Sequence, residues 1–272
     1  MANKGKYYES QFEEATIELL REAHWQYTLG DDIHRKYTDP LIEEDLRNFL
    51  AVQYKDKNLT TSEMDGIVAN LRNTGGQNDY YALRNAFLLY RDGYDFAYSD
   101  SRDNPFRMEY IDFEHPDHNI FRCVNQFVMG QGRENRRPDI LLFINGIPVC
   151  IIELKNPTKQ NATIRDAHTQ ICTRYMRDIP ALLKYCALAV ISDGAKNALG
   201  TTYTPFEFFY EWKNGGPGKL SPSQSEARPS ARRPVGERAM PPDAVFLIPY
   251  LTKPAARSWA DCRRASSRGR GT

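Results

Sequence analysis

Apolar residues follow two different spacings along this chain. Up to about residue 90 they recur every three or four positions among charged neighbours, the period of helices that bury one stripe. Beyond residue 105 they gather into short, dense runs suited to strands. The first regime predicts a helix over 8–24 that turns Phe12, Leu19, Leu20 and Ala23 inward. A second helix is expected from Asp39-Pro40, an N-cap followed by a first-turn proline, to about Tyr54. Thr61 or Ser62 caps a third through Leu71, and Asn78 a fourth through Tyr90 that ends near Gly93. Strands are expected over 106–113, 120–129, 140–144, 147–152 and 186–192, with a helix over 164–177. The pattern describes an α/β domain with a helical elaboration between its first helix and its sheet.

Residues 140–144 and 147–152 are apolar at every position, as in strands covered on both faces. Asn145-Gly146 between them marks a tight turn. Asp139 stands just before the first run, and Glu153 and Lys155 follow the second. Side chains alternate along a strand, so Glu153 and Lys155 share a face. With a bare two-residue loop Asp139 would pair with Ile152, and Glu153 would point the other way. Convergence of all three groups therefore requires one extra residue. The expectation is a three-residue or bulged turn with Gly146 at positive φ.

Charged groups at the ends of buried strands are costly unless something compensates them, and a hard divalent cation such as Mg²⁺ does so with one or two carboxylates. Asp139, Glu153 and the Leu154 carbonyl are the expected ligands. Lys155 would then orient or deprotonate a water, or offset charge on a phosphoryl group. Spacing alone is compatible with a surface aspartate beside an ordinary Glu/Lys strand pair.

Composition narrows the setting. The 272 residues, 41% of them hydrophobic, suffice for one large or two small domains with a real core. The N-terminal residues show no apolar signal region and no run approaches membrane-spanning length, so a cytoplasmic protein without membrane contact is expected. Cys123, Cys150, Cys172, Cys186 and Cys262 are odd in number and lack a Cys-x-x-Cys pair, which predicts reduced thiols. His115 and His118 flank a Pro-Asp loop and read as surface residues. Net charge is only +1, but it divides unevenly. Residues 1–213 hold 25 basic and 31 acidic side chains, net −6, whereas 214–272 hold 11 and 4, net +7.

The words around the carboxylates carry more than their spacing. Asn125-Gln126-Phe127, Arg136-Arg137-Pro138-Asp139-Ile140, Phe143-Ile144-Asn145-Gly146-Ile147-Pro148 and Ile152-Glu153-Leu154-Lys155-Asn156-Pro157 occur in that order. They are followed by Arg177-Asp178-Ile179-Pro180, Ile191-Ser192-Asp193-Gly194 and Phe208-Phe209-Tyr210-Glu211-Trp212. Over roughly residues 1–212 this text closely resembles the N-terminal nuclease domain of the restriction (HsdR) subunit of type I restriction-modification enzymes. The resemblance implies a PD-(D/E)xK core, a mixed central sheet flanked by helices, with Asp139, Glu153 and Lys155 as catalytic triad. It also implies Mg²⁺, DNA as substrate, and methyltransferase and specificity subunits as partners. A glutamate on the first helix is implied near the metal, with Glu13 the best match; a solvated acidic helix face explains it equally. The family places a Gln and a Tyr four residues apart after the lysine. Here Gln170 is followed by Tyr175 one residue too late, which on an α-helix rotates the tyrosine by about 100°. Gln170 is therefore kept as a site contact, and Tyr175 is expected to pack. Arg133, Arg136, Arg137, Lys159 and Arg165 are candidate phosphate contacts, with ordinary surface charge as the alternative.

From Asn214 the composition changes to Gly, Pro, Ser and Arg, with 8 of the chain's 16 prolines, and residues 214–272 are expected to be a disordered or out-of-frame tail. The family's full-length enzyme requires ATP for its translocase motor, yet no residue here is assigned to ATP. Gly218-Lys219-Leu220-Ser221 lacks the first glycine and the adjacent Ser/Thr of a phosphate loop. The expectation is a gene broken near Lys213, with a basic linker as alternative; sequencing the downstream DNA distinguishes them. Three functional classes follow: a type I restriction nuclease domain, a stand-alone nuclease or resolvase of the same superfamily, and a non-catalytic docking fragment.

Overall fold

The computed structural model describes residues 2–100, 103–130, 135–155, 163–194 and 196–212. Arg133, Lys159, Cys262 and everything expected of residues 214–272 lie outside the described residues. A long helix, α1 (Ala2–Glu22), leads into a short strand, β1 (Gln26–Leu29). Helices α2 (Glu43–Gln53), α3 (Thr61–Asn73) and α4 (Asp79–Asp92) follow, then a two-stranded ribbon of β2 (Tyr94–Phe96) and β3 (Phe106–Met108). The sheet continues with β4 (Phe121–Asn125), β5 (Ile140–Ile144) and β6 (Ile147–Leu154). Next come α5 (Ile164–Thr169), a π-helical segment (Gln170–Tyr175), α6 (Met176–Asp178) and α7 (Pro180–Leu183). Strands β7 (Leu188–Ser192), β8 (Asn197–Gly200) and β9 (Tyr210–Trp212) close the described chain.

Seven strands form one mixed sheet in the order β1-β4-β5-β6-β7-β8-β9. The β1/β4 and β6/β7 pairs are parallel and the others antiparallel. Both faces are covered, as the continuous apolar runs require. On one side Leu142, Ile144 and Ile152 pack with Leu46, Leu50, Ile67 and Tyr90 of α2–α4. On the other, Leu141, Phe143 and Ile191 pack with Ile171, Tyr175 and Leu182 of the later helices.

Several boundaries differ from the sequence reading for local reasons. The third helix is capped by Thr60, one residue earlier than expected, through a reciprocal box: Glu63 N–H donates to Thr60 Oγ1 at 3.2 Å and Thr60 N–H to Glu63 Oε2 at 2.9 Å. Asn78 does cap α4, accepting from Tyr81 N–H at 3.1 Å, and Gly93 ends it at φ 70°. The second helix starts at Glu43 rather than at Asp39-Pro40, because Ile42 N–H donates to Gly146 O at 2.9 Å and ties the chain to the β5–β6 turn. In α1, Ile17 is buried while Leu19, expected inward, is 66% exposed. The strand expected over 120–129 stops at Asn125, where Gln126 turns to φ 56°. That expected over 106–113 keeps only three residues, although Tyr110 and Ile111 remain fully buried. Strands β1, β2, β8 and β9 were not expected, being three or four residues long. Cys123, Cys150 and Cys186 are buried free thiols and Cys172 is half-buried. No described helix is long and apolar enough to cross a membrane.

Candidate active site

The site depends on one inserted residue. Asn145 (φ 50°) and Gly146 (φ 75°) make a two-residue turn, with Ile144 opposite Ile147. Positive φ at both positions fits the twist of a hairpin. The turn is thus shorter than expected, and the extra residue lies two steps into β6: Phe143 pairs with Pro148 and Leu142 with Cys150, which leaves Val149 as a bulge. The faces record the shift, for Val149 and its neighbour Cys150 both enter the same apolar layer as Ile147, Ile152 and Leu154. Beyond the bulge Ile140 faces Ile152, so one further step sets Asp139 opposite Glu153. Gly146 cannot be replaced freely, since a Cβ there would lie 2.1 Å from Ile42 O.

Asp139 Oδ2 accepts the Leu154 N–H at 2.8 Å, which fixes its carboxylate against the neighbouring strand. Glu153 is fully buried at the rim between β5 and β7, opposite Ile191 in register. Lys155 extends the same strand, its N–H donating to Ser192 O at 2.7 Å. Its Nζ lies 2.8 Å from Glu153 Oε1 and donates to Gln170 Oε1 at 2.9 Å. Gln170 Nε2 donates to the Tyr175 hydroxyl at 2.7 Å, and that hydroxyl donates to Glu153 Oε2 at 3.3 Å. The four side chains form a closed ring of hydrogen bonds.

Tyr175 therefore belongs to this ring, contrary to the expectation that it only packs. The helix after Lys155 is not α-helical throughout: Met176 N–H reaches back five residues to Ile171 O within the π segment. An i→i+5 period absorbs the additional residue, so that Gln170 and Tyr175 face the same way. Burial pushes the Tyr175 phenol well above its usual range, and it stays a protonated donor.

Glu153 is raised to about 8, first by burial and next by the charge of Asp139, against the opposing pull of Lys155 and the Tyr175 hydroxyl. Two carboxylates and one ammonium leave a charge deficit in a place shielded from water. That donor set fits a divalent cation held by oxygen ligands, whose charge would offset both causes of the shift.

Glu13 stands apart from the ring. Helix α1 packs on the opposite face of the sheet, and Glu13 Oε1 accepts from Asn125 Nδ2 at 3.0 Å and Gln126 Nε2 at 2.8 Å. Gln126 N–H in turn donates to Asp139 O at 3.3 Å, so Glu13 reaches the same rim through two amides. The pair Asn125-Gln126, polar residues ending an apolar strand, was the available signal for that link. Among the candidate phosphate contacts, Arg136 is bound to Asp178 at 2.6 Å, Arg137 is exposed, and Arg165 is exposed with its guanidinium 4.3 Å from the Phe206 ring centre. Two arginines, Arg136 and Arg177, lower Asp178 to about 2.

A mixed sheet between helical layers, with an Asp, a Glu and a Lys at one rim, has the architecture of the PD-(D/E)xK-like nuclease class. The sequence pattern of the family described as "Type I restriction enzyme R protein N terminus" matches residues 6–208, and the chain belongs to that family. Over 215 residues it is 30% identical to the "Type I restriction enzyme HindI endonuclease subunit" of Haemophilus influenzae, covering 75% of this chain and 20% of that protein. The "Putative type I restriction enzyme MjaIXP endonuclease subunit" of Methanocaldococcus jannaschii is 30% identical over 209 residues, 74% of this chain and 20% of its own length. The chain thus spans about one fifth of these relatives.

Proposed function

We propose that this chain is the Mg²⁺-dependent DNA endonuclease domain of a type I restriction enzyme R subunit. The observation that carries the reading is the Val149 bulge, which sets Asp139 and Glu153 across from each other on the face where Lys155, Gln170 and Tyr175 meet. Asp139, Glu153 and the Leu154 carbonyl would hold Mg²⁺. When bound, the ion supplies Lewis-acid polarisation of the phosphodiester and neutralises charge that builds on it.

The chain's own groups do the rest. Lys155 Nζ, donating to Glu153 and Gln170, would orient the attacking water and steady the developing negative charge at phosphorus. The water oxygen forms the new bond to phosphorus while the bond to the leaving sugar oxygen breaks, the water's proton passing to solvent and solvent water protonating the sugar oxygen. Gln170 is a positioning residue for Lys155, and the Tyr175 hydroxyl fixes the second oxygen of Glu153. Glu13 supports the rim through Asn125 and Gln126. Arg137 and Arg165, with Arg133 and Lys159, are the phosphate contacts of this reading, while Arg136 is committed to Asp178. Methyltransferase and specificity subunits would bring the DNA, and ATP would act on the motor of a full-length enzyme.

Supercoiled plasmid incubated with the chain and Mg²⁺ tests the proposal. Cleavage is expected, with Asp139→Ala and Lys155→Ala each lowering the rate by a factor of about 10² or more. Equal background nicking by all three proteins would sink the claim of intrinsic activity.

A further inference from the structure

We propose that Asp112, His115 and His118 form a second cation site, one that takes a transition-metal ion of the zinc type. It lies in the loop between β3 and β4, at the end of the hairpin away from Asp139. Asp112 is 3% exposed, and its Oδ1 accepts from the N–H groups of Glu114 at 2.9 Å and His115 at 2.8 Å. Its Oδ2 faces two imidazoles, with His118 Nδ1 at 3.0 Å and His115 Nδ1 at 3.6 Å. The rings stack with centres 5.0 Å apart and planes 20° from parallel. All three ligand atoms lie within 4.8 Å of one another.

Two features favour an ion over a simple surface contact. Gln53 Nε2 also donates to Oδ2 at 3.2 Å, so three polar groups crowd one carboxylate oxygen. A cation bonded to Oδ2 and to unprotonated Nδ1 atoms turns the imidazoles from competing donors into fellow ligands. Bonds of ~2.0–2.1 Å in a tetrahedron place ligand atoms about 3.3–3.4 Å apart, and the two distances to Oδ2 bracket that value. Those two distances need only a few tenths of an ångström of adjustment.

The chemistry differs from that of the carboxylate rim. Two imidazoles and one carboxylate select Zn²⁺, Ni²⁺ or Cu²⁺ rather than Mg²⁺. The rings are 65% and 55% exposed, leaving a fourth position to solvent water. The supporting groups are already placed. Asp112 N–H donates to Asn119 Oδ1 at 2.9 Å and Asn119 Nδ2 to Asp112 O at 2.7 Å, while Asn145 Nδ2 donates to the same Asn119 Oδ1 at 2.7 Å. An ion here closes the loop from Asp112 to His118 on itself, while Asn119 ties that loop to Asn145, and its role is structural.

The test uses the full chain without a histidine tag, at pH 8, with Zn²⁺ alone and with Co²⁺ as a spectroscopic probe. Calorimetric titration of the Asp139→Asn variant, whose rim site is impaired, is expected to give one Zn²⁺ per chain. At a free ion concentration a hundredfold above the dissociation constant, the melting temperature rises by about 5–10 °C. Co²⁺ is expected to show the visible absorption of a four-coordinate site. Adding His115→Gln and His118→Gln removes the heat, the shift and the absorption together. His115→Gln alone, at the more exposed ring, weakens Zn²⁺ binding at least about tenfold, one lost ligand. Binding that survives both substitutions unchanged, or no binding by the starting protein, overturns the proposal.

Discussion

At the scale of single residues, the chemistry of the rim is concentrated in Glu153. Its folded value of about 8 stands above the ordinary 4.5, so the folded chain holds a proton there that the unfolded chain releases. The neutral form's contribution to stability is fully present below about 4.5 and is lost as pH rises through about 8. Urea unfolding in a chelator should therefore show stability falling between these two pH values, and Glu153→Gln should flatten the fall. An identical slope in the variant would refute the buried-carboxylate account. A second prediction concerns Tyr175, whose hydroxyl joins Gln170 to Glu153. Tyr175→Phe is expected to lower kcat about tenfold with KM unchanged, and to destabilise by ~1–2 kcal/mol, the cost of buried groups left without a partner. A change in KM alone would assign the hydroxyl to DNA binding instead. Asp139, Glu153 and Lys155 were legible because charges stand out where they end apolar runs. Tyr175 was not, since its placement depends on a helix geometry that residue counting on an α-helix excludes.

Elements explain what counting missed: in the hairpin the place of the one extra residue, which it required, and in the helix the consequence of one. The hairpin reading required an odd insertion and expected it at the turn; Asn145-Gly146 made the tight turn that its composition favours, and Val149 took the insertion inside β6. No residue type announces a bulge in a run where every position is apolar. In the helix, the exposed residues Thr173 and Arg174 occupy the outer side of the π segment while Ile171 and Tyr175 point inward. Deleting Thr173 should convert the segment to an α-helix in which Gln170 and the tyrosine stand four residues apart, again on one face. Expected are a folded protein, a melting temperature equal to or above that of the starting chain, and plasmid cleavage within about threefold, a ~0.7 kcal/mol change. If the extra residue were instead part of a required geometry, cleavage would drop as far as with Tyr175→Phe. Helix caps were easier to read: Asn78 and Gly93 act where their side-chain and backbone preferences place them. The start of α2 was not, because a long-range bond from Ile42 to Gly146 decides it.

For the whole molecule, the decisive property is how charge is shared between residues 1–213 and residues 214–272. Family similarity covers residues 6–208, and β9, the last strand among the described residues, pairs with β8 by residue 212. Those first 213 residues carry net −6, and the following 59 carry 11 basic against 4 acidic groups. A net-negative domain gains little from non-specific attraction to a phosphate backbone, whereas a run of cations releases counterions when it binds. Two outcomes follow for a chain ending at residue 213. Its unfolding midpoint should match that of the full chain, since both described core clusters are built from residues up to Phe209. Its affinity for a non-specific DNA duplex should fall at least about tenfold at low salt, with a shallower decline as salt rises. Fluorescence anisotropy over a salt series reads both the affinity and the slope. Unchanged affinity and slope would place the phosphate contacts within residues 1–213, on Arg137, Arg165 and their neighbours. A lowered midpoint would show that residues beyond 213 pack against the domain. In either case the cleavage chemistry proposed for Asp139, Glu153 and Lys155 rests on the Val149 bulge and the π segment, which lie wholly inside the retained chain.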